Sequence, residues 1–204
     1  MKRSIAYLAL ATSLVLTPIS ASAIGVSSTK PADLKAGHYV LDPTHASVTL
    51  KLSHMGFSQY TMRFTKIEAS FDYDPVKPET SAISVRIDPA SLETGDSKFN
   101  AELTGDGWLE AGKYPDIKFV STGVDVGDGT HGTVTGNLTF HGVTKPVTLN
   151  VTFNGVGAGM NPMAVKTGFS GTAMIKRSDF GVSKYVPLVG DDVTVLIETE
   201  FDRK

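Results

Sequence analysis

Cysteine is absent from all 204 residues, and that absence removes several chemistries at once. No disulfide framework can hold the fold, no thiolate can act as nucleophile, and no cysteine-ligated zinc site is possible. The core must hold the fold unaided, and lipid attachment through a cysteine is excluded. Positive charge is also lacking in any cluster. The 19 Lys and Arg stand against 21 Asp and Glu, for a formal charge of −2, which argues against nucleic acid as a partner. A nucleophile elbow, a glycine-rich phosphate loop and paired catalytic carboxylates are all missing. The five histidines are scattered, with no two at metal-ligand spacing on one element, so neither a metal site nor a catalytic residue is nominated. A non-enzyme without cofactor is the expectation.

Long apolar runs are missing too. The longest, residues 5–16, falls short of the ~20 residues a membrane span needs. Lys2 and Arg3 precede it, Pro18 breaks it, and Ala21-Ser22-Ala23 has the small-x-small pattern that signal peptidase reads. Residues 1–23 are expected to be a cleaved secretory signal peptide, leaving no stable membrane anchor. Residues 24–36, rich in Ser, Lys and Pro, read as a flexible leader, and 37–204 as one domain.

What the chain does have is strand alternation. The clearest case is residues 133–154. Val134, Leu138 and Phe140 share one face of the first arm, and Val147, Leu149, Val151 and Phe153 one face of the second; Thr and Asn fill the opposite faces. A turn is expected over 141–145, with Pro146 opening the second strand. Similar two-faced runs cover 38–42, 47–53, 66–73, 82–88, 116–121, 165–176 and 193–201, with a turn read at 42–45. That gives an all-β chain of roughly eight antiparallel strands whose apolar faces must be buried. With little helix to cover them, the sheet must close on itself as a barrel or pack on a second sheet, and the barrel is preferred. The period of two is lost only near 96–113. There Phe99 and Leu103, four apart, suggest a short helix with Ser97 as N-cap, and Trp108 to Ala111 a second turn.

A barrel of this size either fills itself or holds one narrow ligand. Ala69, Gly136, Gly171 and Ala173 are small residues on large-residue faces, and would either leave room for a ligand beside Phe140, Phe153 and Phe169 or relieve crowding there and permit a sharp bend. Phe64, Phe71, Phe119, Leu138, Leu149 and Ile175 complete the expected apolar lining. The 96–113 insert, with Leu103 and Trp108, is expected at the mouth, together with the crowded segment 54–64, where a short helical turn or bend is expected to tuck Phe57 and its apolar neighbours inward. His54 and Arg63 are candidates to meet a polar head group, and Arg177 with Asp179 reads as an ion pair or a loop clamp. An exposed edge strand could pair two copies, so a monomer or a homodimer is expected.

Several motifs then carry a likeness. YVLDPTHASV at 39–48, HMGF at 54–57, YPDIKF at 114–119, GNLTFHGVTKPV at 136–147, RSDFG at 177–181 and GDDV at 190–193 together resemble the YceI-like family of periplasmic polyisoprenoid-binding proteins. The likeness spans about residues 37–201 and departs at Ala46 and Leu50, where the family often has Ser or Phe. It implies a lipocalin-like antiparallel barrel in the periplasm that encloses a long apolar ligand: a polyisoprenoid, an isoprenoid quinone or a fatty amide. A carrier, with stress response as one setting, is the implied role. The alternatives are an enzyme acting on a lipid or small ester, and a module that sequesters apolar toxins.

Overall fold

The computed structural model describes residues 25–204; the expected signal peptide lies outside the described residues. The chain forms β1 (Gly25–Ser28), β2 (Gly37–His54), β3 (Ser58–Phe64), β4 (Ile67–Tyr73), β5 (Ala82–Ile87) and β6 (Leu92–Glu93). The helix α1 (Ser97–Thr104) comes next, then β7 (Ile117–Asp125), β8 (His131–Phe140), β9 (Val143–Gly159), β10 (Lys166–Lys176) and β11 (Asp192–Arg203). Every pairing is antiparallel. Eight strands run β11-β10-β9-β8-β7-β5-β4-β2, and β11 pairs with β2 to close the ring. The all-β antiparallel barrel read from alternation is the architecture found. Closure satisfies the edges that an open sheet would leave bare.

The long strand β2 departs from the sequence reading. The segment 42–45 does not turn the chain; it is a bulge inside one strand. On β11, Thr199 pairs with Ala46 and Phe201 with Leu41, so residues 42–45 face Glu200 alone. The Asp42 carboxylate accepts from the Thr44 amide (3.0 Å) and hydroxyl (2.6 Å), turn chemistry that is satisfied locally while the strand continues. The bulge bends β2. Its first part, at Gly37 to Val40, pairs with β4, and its last part, from Val48 to His54, pairs with β3.

The β8–β9 hairpin forms with a tighter turn than expected. His141 and Gly142 alone make it, both at positive φ (50° and 76°), the shape of a two-residue turn matched to strand twist. His141 is held there by Nδ1 against the Phe180 carbonyl (3.1 Å) and by its ring on Tyr114 (4.4 Å between centroids). Pro146 lies inside β9 opposite Asn137. Counting from the turn, that is a pair without mutual hydrogen bonds, and β10 pairs with β9 only as far as Asn150, so the missing N–H costs nothing.

Among the described residues α1 is the one α-helix, and 105–113 follows as turns that fold back on it; Leu109 N donates to Leu103 O at 3.0 Å. Asp96, rather than Ser97, caps it, accepting from Lys98 N (2.8 Å) and Phe99 N (3.3 Å). Where it is described, the leader takes up regular structure. β1 pairs with the end of β9, and its backbone occupies the space a Cβ on Gly157 would need. Leu34, 3% exposed, joins the core, and Tyr39 donates its hydroxyl to Lys35 O (2.7 Å). No helix among the described residues is long and apolar enough to cross a membrane.

The antiparallel order sorts the connections between two ends. At one end lie the β2–β3 turn, the α1 insert, the His141 turn and the 177–191 segment. At the other lie the leader and the β4–β5, β7–β8 and β9–β10 connections.

Candidate functional site

Inward-facing residues line the barrel axis without filling it. A cavity of about 990 Å³ runs along it, at the upper end of the range for small-molecule sites. Its walls come from rows two residues apart: Val48, Leu50 and Leu52 on β2, Ile83, Val85 and Ile87 on β5, Val193, Val195 and Ile197 on β11. Toward the leader, Phe71, Phe169 and Phe201 meet edge to face, with centroids 5.0 to 6.2 Å apart, and Tyr39 stacks on Phe71 at 4.7 Å. Edge-to-face is an arrangement that aromatic pairs prefer, so the rings support one another there. Pro31, Ala32 and Leu34 close in behind them. At the helical end Tyr60 packs edge-on against Phe99 (5.6 Å), with Leu103 and Trp108 beside them. Polar groups reach the wall chiefly at the ends: His54, Asp96 and Arg177 at the helical end, Tyr73, Asp125 and Thr130 at the other.

Phe64, Phe71, Leu103, Trp108, Phe119 and Leu138 all border this cavity, as do Phe140, Leu149, Phe169, Gly171, Ala173 and Ile175. Three expected lining residues do not. Phe57 sits at the tip of the β2–β3 turn and is 87% exposed; its hydrophobicity suggested an inward tuck that a three-residue turn cannot make. Ala69 packs against the core without reaching the cavity. Gly136 faces inward, but the Phe119 ring takes the space its missing side chain leaves. Of the two head-group candidates, His54 borders the cavity. Arg63 is exposed on the outer side of β3, between Thr49 and Glu93. Tyr60, Met62 and the β5 row also line the cavity; the alternation marks Ile83, Val85 and Ile87 as inward, though none of these residues is in the expected lining. Leu34 had no such signal.

Arg177 is 5% exposed and does not pair with Asp179, which meets Lys145 at 3.1 Å. Its guanidinium donates to four carbonyls instead: Nε to Gly190 (2.9 Å), Nη1 to Val182 (3.0 Å), Nη2 to Lys184 (2.9 Å) and Val189 (2.8 Å). Burial pulls its pKa below the usual arginine value. The arginine thus shapes the 182–190 loop into one side of the cavity's helical end.

On the outer surface Asp42, His45 and Glu200 bring potential metal-ligand atoms within 4.8 Å of one another. Lys166 already fills that position. Its Nζ lies 2.7 Å from Asp42, 3.3 Å from Glu200 and 3.2 Å from Asp202. Burial works to lower the Lys166 pKa, and the three carboxylates outweigh it and hold the ammonium well above its usual range. The Lys166 contact in turn holds Asp42 far below the usual carboxylate value. This is an ion-pair clamp across the β2 bulge.

A YceI-like domain model matches residues 39–201. The UPF0312 protein of Pseudomonas savastanoi pv. phaseolicola is 37% identical over 167 residues, 80% of this chain and 86% of its own length. The crystal structure of Burkholderia cenocepacia BcnA superposes with a TM-score of 0.71 at 30% identity, over 78% of this chain and 98% of that one. A polyisoprenoid binding domain from Saccharophagus degradans, implicated in plant cell wall breakdown, shares the fold at 17% identity. Its TM-score is 0.59, over 83% of this chain and 100% of that domain.

Proposed function

This chain belongs to the YceI-like family, and from that premise we propose that it is a periplasmic carrier holding one long apolar lipid, of polyisoprenoid, isoprenoid-quinone or fatty-amide type, along the barrel axis. The observation that carries the reading is the cavity itself: about 990 Å³, walled by aliphatic and aromatic rows, with polar groups mainly at its ends. Such a wall offers a chain little but escape from water. At ~0.8 kcal/mol per buried CH₂, each five-carbon isoprene unit contributes roughly 3–4 kcal/mol before ordering costs, so a few units suffice for tight binding. Length and bore then set selectivity, because an apolar wall distinguishes poorly between similar chains. The polyisoprenoid binding of the Saccharophagus degradans domain and the expected secretory leader at 1–23 support the ligand class and the compartment. The chain acts as a monomer or homodimer, by binding rather than catalysis.

Native mass spectrometry of protein purified from its own periplasm, followed by organic extraction, tests this. One apolar lipid per chain is expected. Protein that never carries a lipid, and takes up none when polyprenols are offered, would sink the reading.

A further inference from the structure

Four large apolar side chains stand exposed at the helical end without lining the cavity: Met55 (51%), Phe57 (87%), Tyr185 (57%) and Leu188 (62%). They come from two connections that the backbone joins into one ledge. Met55 N donates to Leu188 O at 2.8 Å, and His54 bridges to Val189. The ledge is continuous with the cavity, because His54 and Val189 both border it. So does Trp108, whose ring lies 5.9 Å from that of Tyr185. Positive φ at Met55 (52°) and Gly56 (75°) shapes the turn whose tip carries Phe57. Soluble monomers rarely keep a contiguous apolar patch of this kind without a use, and Tyr and Trp suit a membrane–water boundary. Charges around it are mixed. Lys184 Nζ lies 5.1 Å over Trp108, while the Trp108 indole N–H donates to Glu102 (3.3 Å). Apolar insertion therefore fits the ledge better than attraction to anionic head groups.

We propose that this ledge docks on a phospholipid bilayer, inserting Phe57, Leu188, Met55 and Tyr185 so that the helical end of the cavity meets the membrane. Continuity decides the occupant. A patch that runs into a lipid-sized cavity gives an apolar chain a path that avoids water, which a protein partner seated there would block. The choice of a bilayer as occupant and the transfer step both rest on the carrier reading above, and vesicle binding and polyprenol uptake are measured separately.

Trp108 is the chain's one tryptophan, so its fluorescence reports approach to lipid. The purified chain is mixed with phosphatidylcholine vesicles carrying brominated acyl chains. Quenching and co-sedimentation are expected, little altered by high salt or by added phosphatidylglycerol. Phe57→Ser with Leu188→Ser should weaken partitioning by about tenfold or more. It should slow extraction of a fluorescent polyprenol from vesicles by a similar factor, yet leave uptake of the same polyprenol from ethanol unchanged. The docking proposal is overturned if the wild-type chain ignores vesicles, if the double variant binds them equally well, or if binding requires phosphatidylglycerol. A concentration-dependent dimer that the double variant abolishes would overturn it too, in favour of a second copy. If the wild-type chain binds vesicles but takes up no polyprenol from ethanol, docking is upheld and the carrier reading fails.

Discussion

The ring of Phe119 occupies the space in which a Cβ on Gly136 would stand, one strand over. The glycine seats an aromatic residue and does not widen the bore. Gly136→Ala should therefore overpack the barrel and cost about 1–3 kcal/mol. Phe119→Leu in the same chain should recover only part of that, since the Val120 carbonyl lies 2.6 Å from the same position. Chemical denaturation of the two single variants and the double variant, read as a cycle, measures the coupling. An alanine variant as stable as the parent would show that the ring is not wedged.

The Asp42–Lys166 clamp predicts a pH dependence whose sign is fixed. Asp42 has a carboxyl pKa depressed by folding, so its contribution is present above the unfolded value of ~3.9 and fades as pH falls below it. Lys166 has its pKa raised, so its contribution holds up to the unfolded value of ~10.4 and fades as pH rises further, through the folded one. Asp42→Asn should cost roughly 1.5–3 kcal/mol near neutrality, the scale of a charged hydrogen bond at a partly buried site. Melting curves between neutral and acid pH should show the gap between parent and variant closing below about pH 4. A constant gap would mean that Asp42 acts through the bulge geometry alone.

The barrel was legible because each of its strands buries one face only, so the rows on β5, β9 and β11 stand out as simple alternation. What was not legible has physical causes. Residues 42–45 carry turn chemistry, and their bulge depends on β11 as a partner, which no local pattern records. The leader has few apolar residues and no period, yet Leu34 is pinned by tertiary contacts alone. Phe57 is large and apolar, and only the brevity of its turn reveals that it faces water. Arg177 spends its donors on loop carbonyls, which leave no trace in residue identity, whereas Asp179 two residues on looked like an obvious partner.

Ala173 borders the cavity from β10 and is 7% exposed, so bulk added there enters the bore. Ala173→Phe should shorten the usable channel and reduce affinity for a long polyprenol by tenfold or more, about 1.4 kcal/mol or above. Short prenols should be affected less. Displacement titrations with chains of graded length, run beside a melting curve to confirm folding, distinguish this from global damage. Equal loss at every length would count against a linear channel.

Arg177→Met keeps bulk but leaves four carbonyls without their donor, which should cost roughly 3 kcal/mol or more. Arg177→Lys should recover little, because an ammonium cannot reproduce the planar fork. Hydrogen exchange should quicken first in 182–190, the loop that the guanidinium holds. Faster exchange spread evenly over the barrel would instead assign Arg177 to the general core.

Leu34 borders the cavity at the end away from the helix, and the leader that carries it is tied down by β1 on β9 and by the Lys35 carbonyl on Tyr39. Its side chain therefore serves two purposes that one substitution can separate. Leu34→Ala should cost about 2–5 kcal/mol as a core truncation. Leu34→Met keeps volume and should cost under about 1.5 kcal/mol, while its flexible thioether seals the end less firmly. With the helical end as the route out, the methionine variant should release a bound polyprenol at the parent's rate and at nearly equal stability. Stopped-flow transfer to acceptor vesicles measures that rate. Faster release from the methionine variant would make the leader end a second way out.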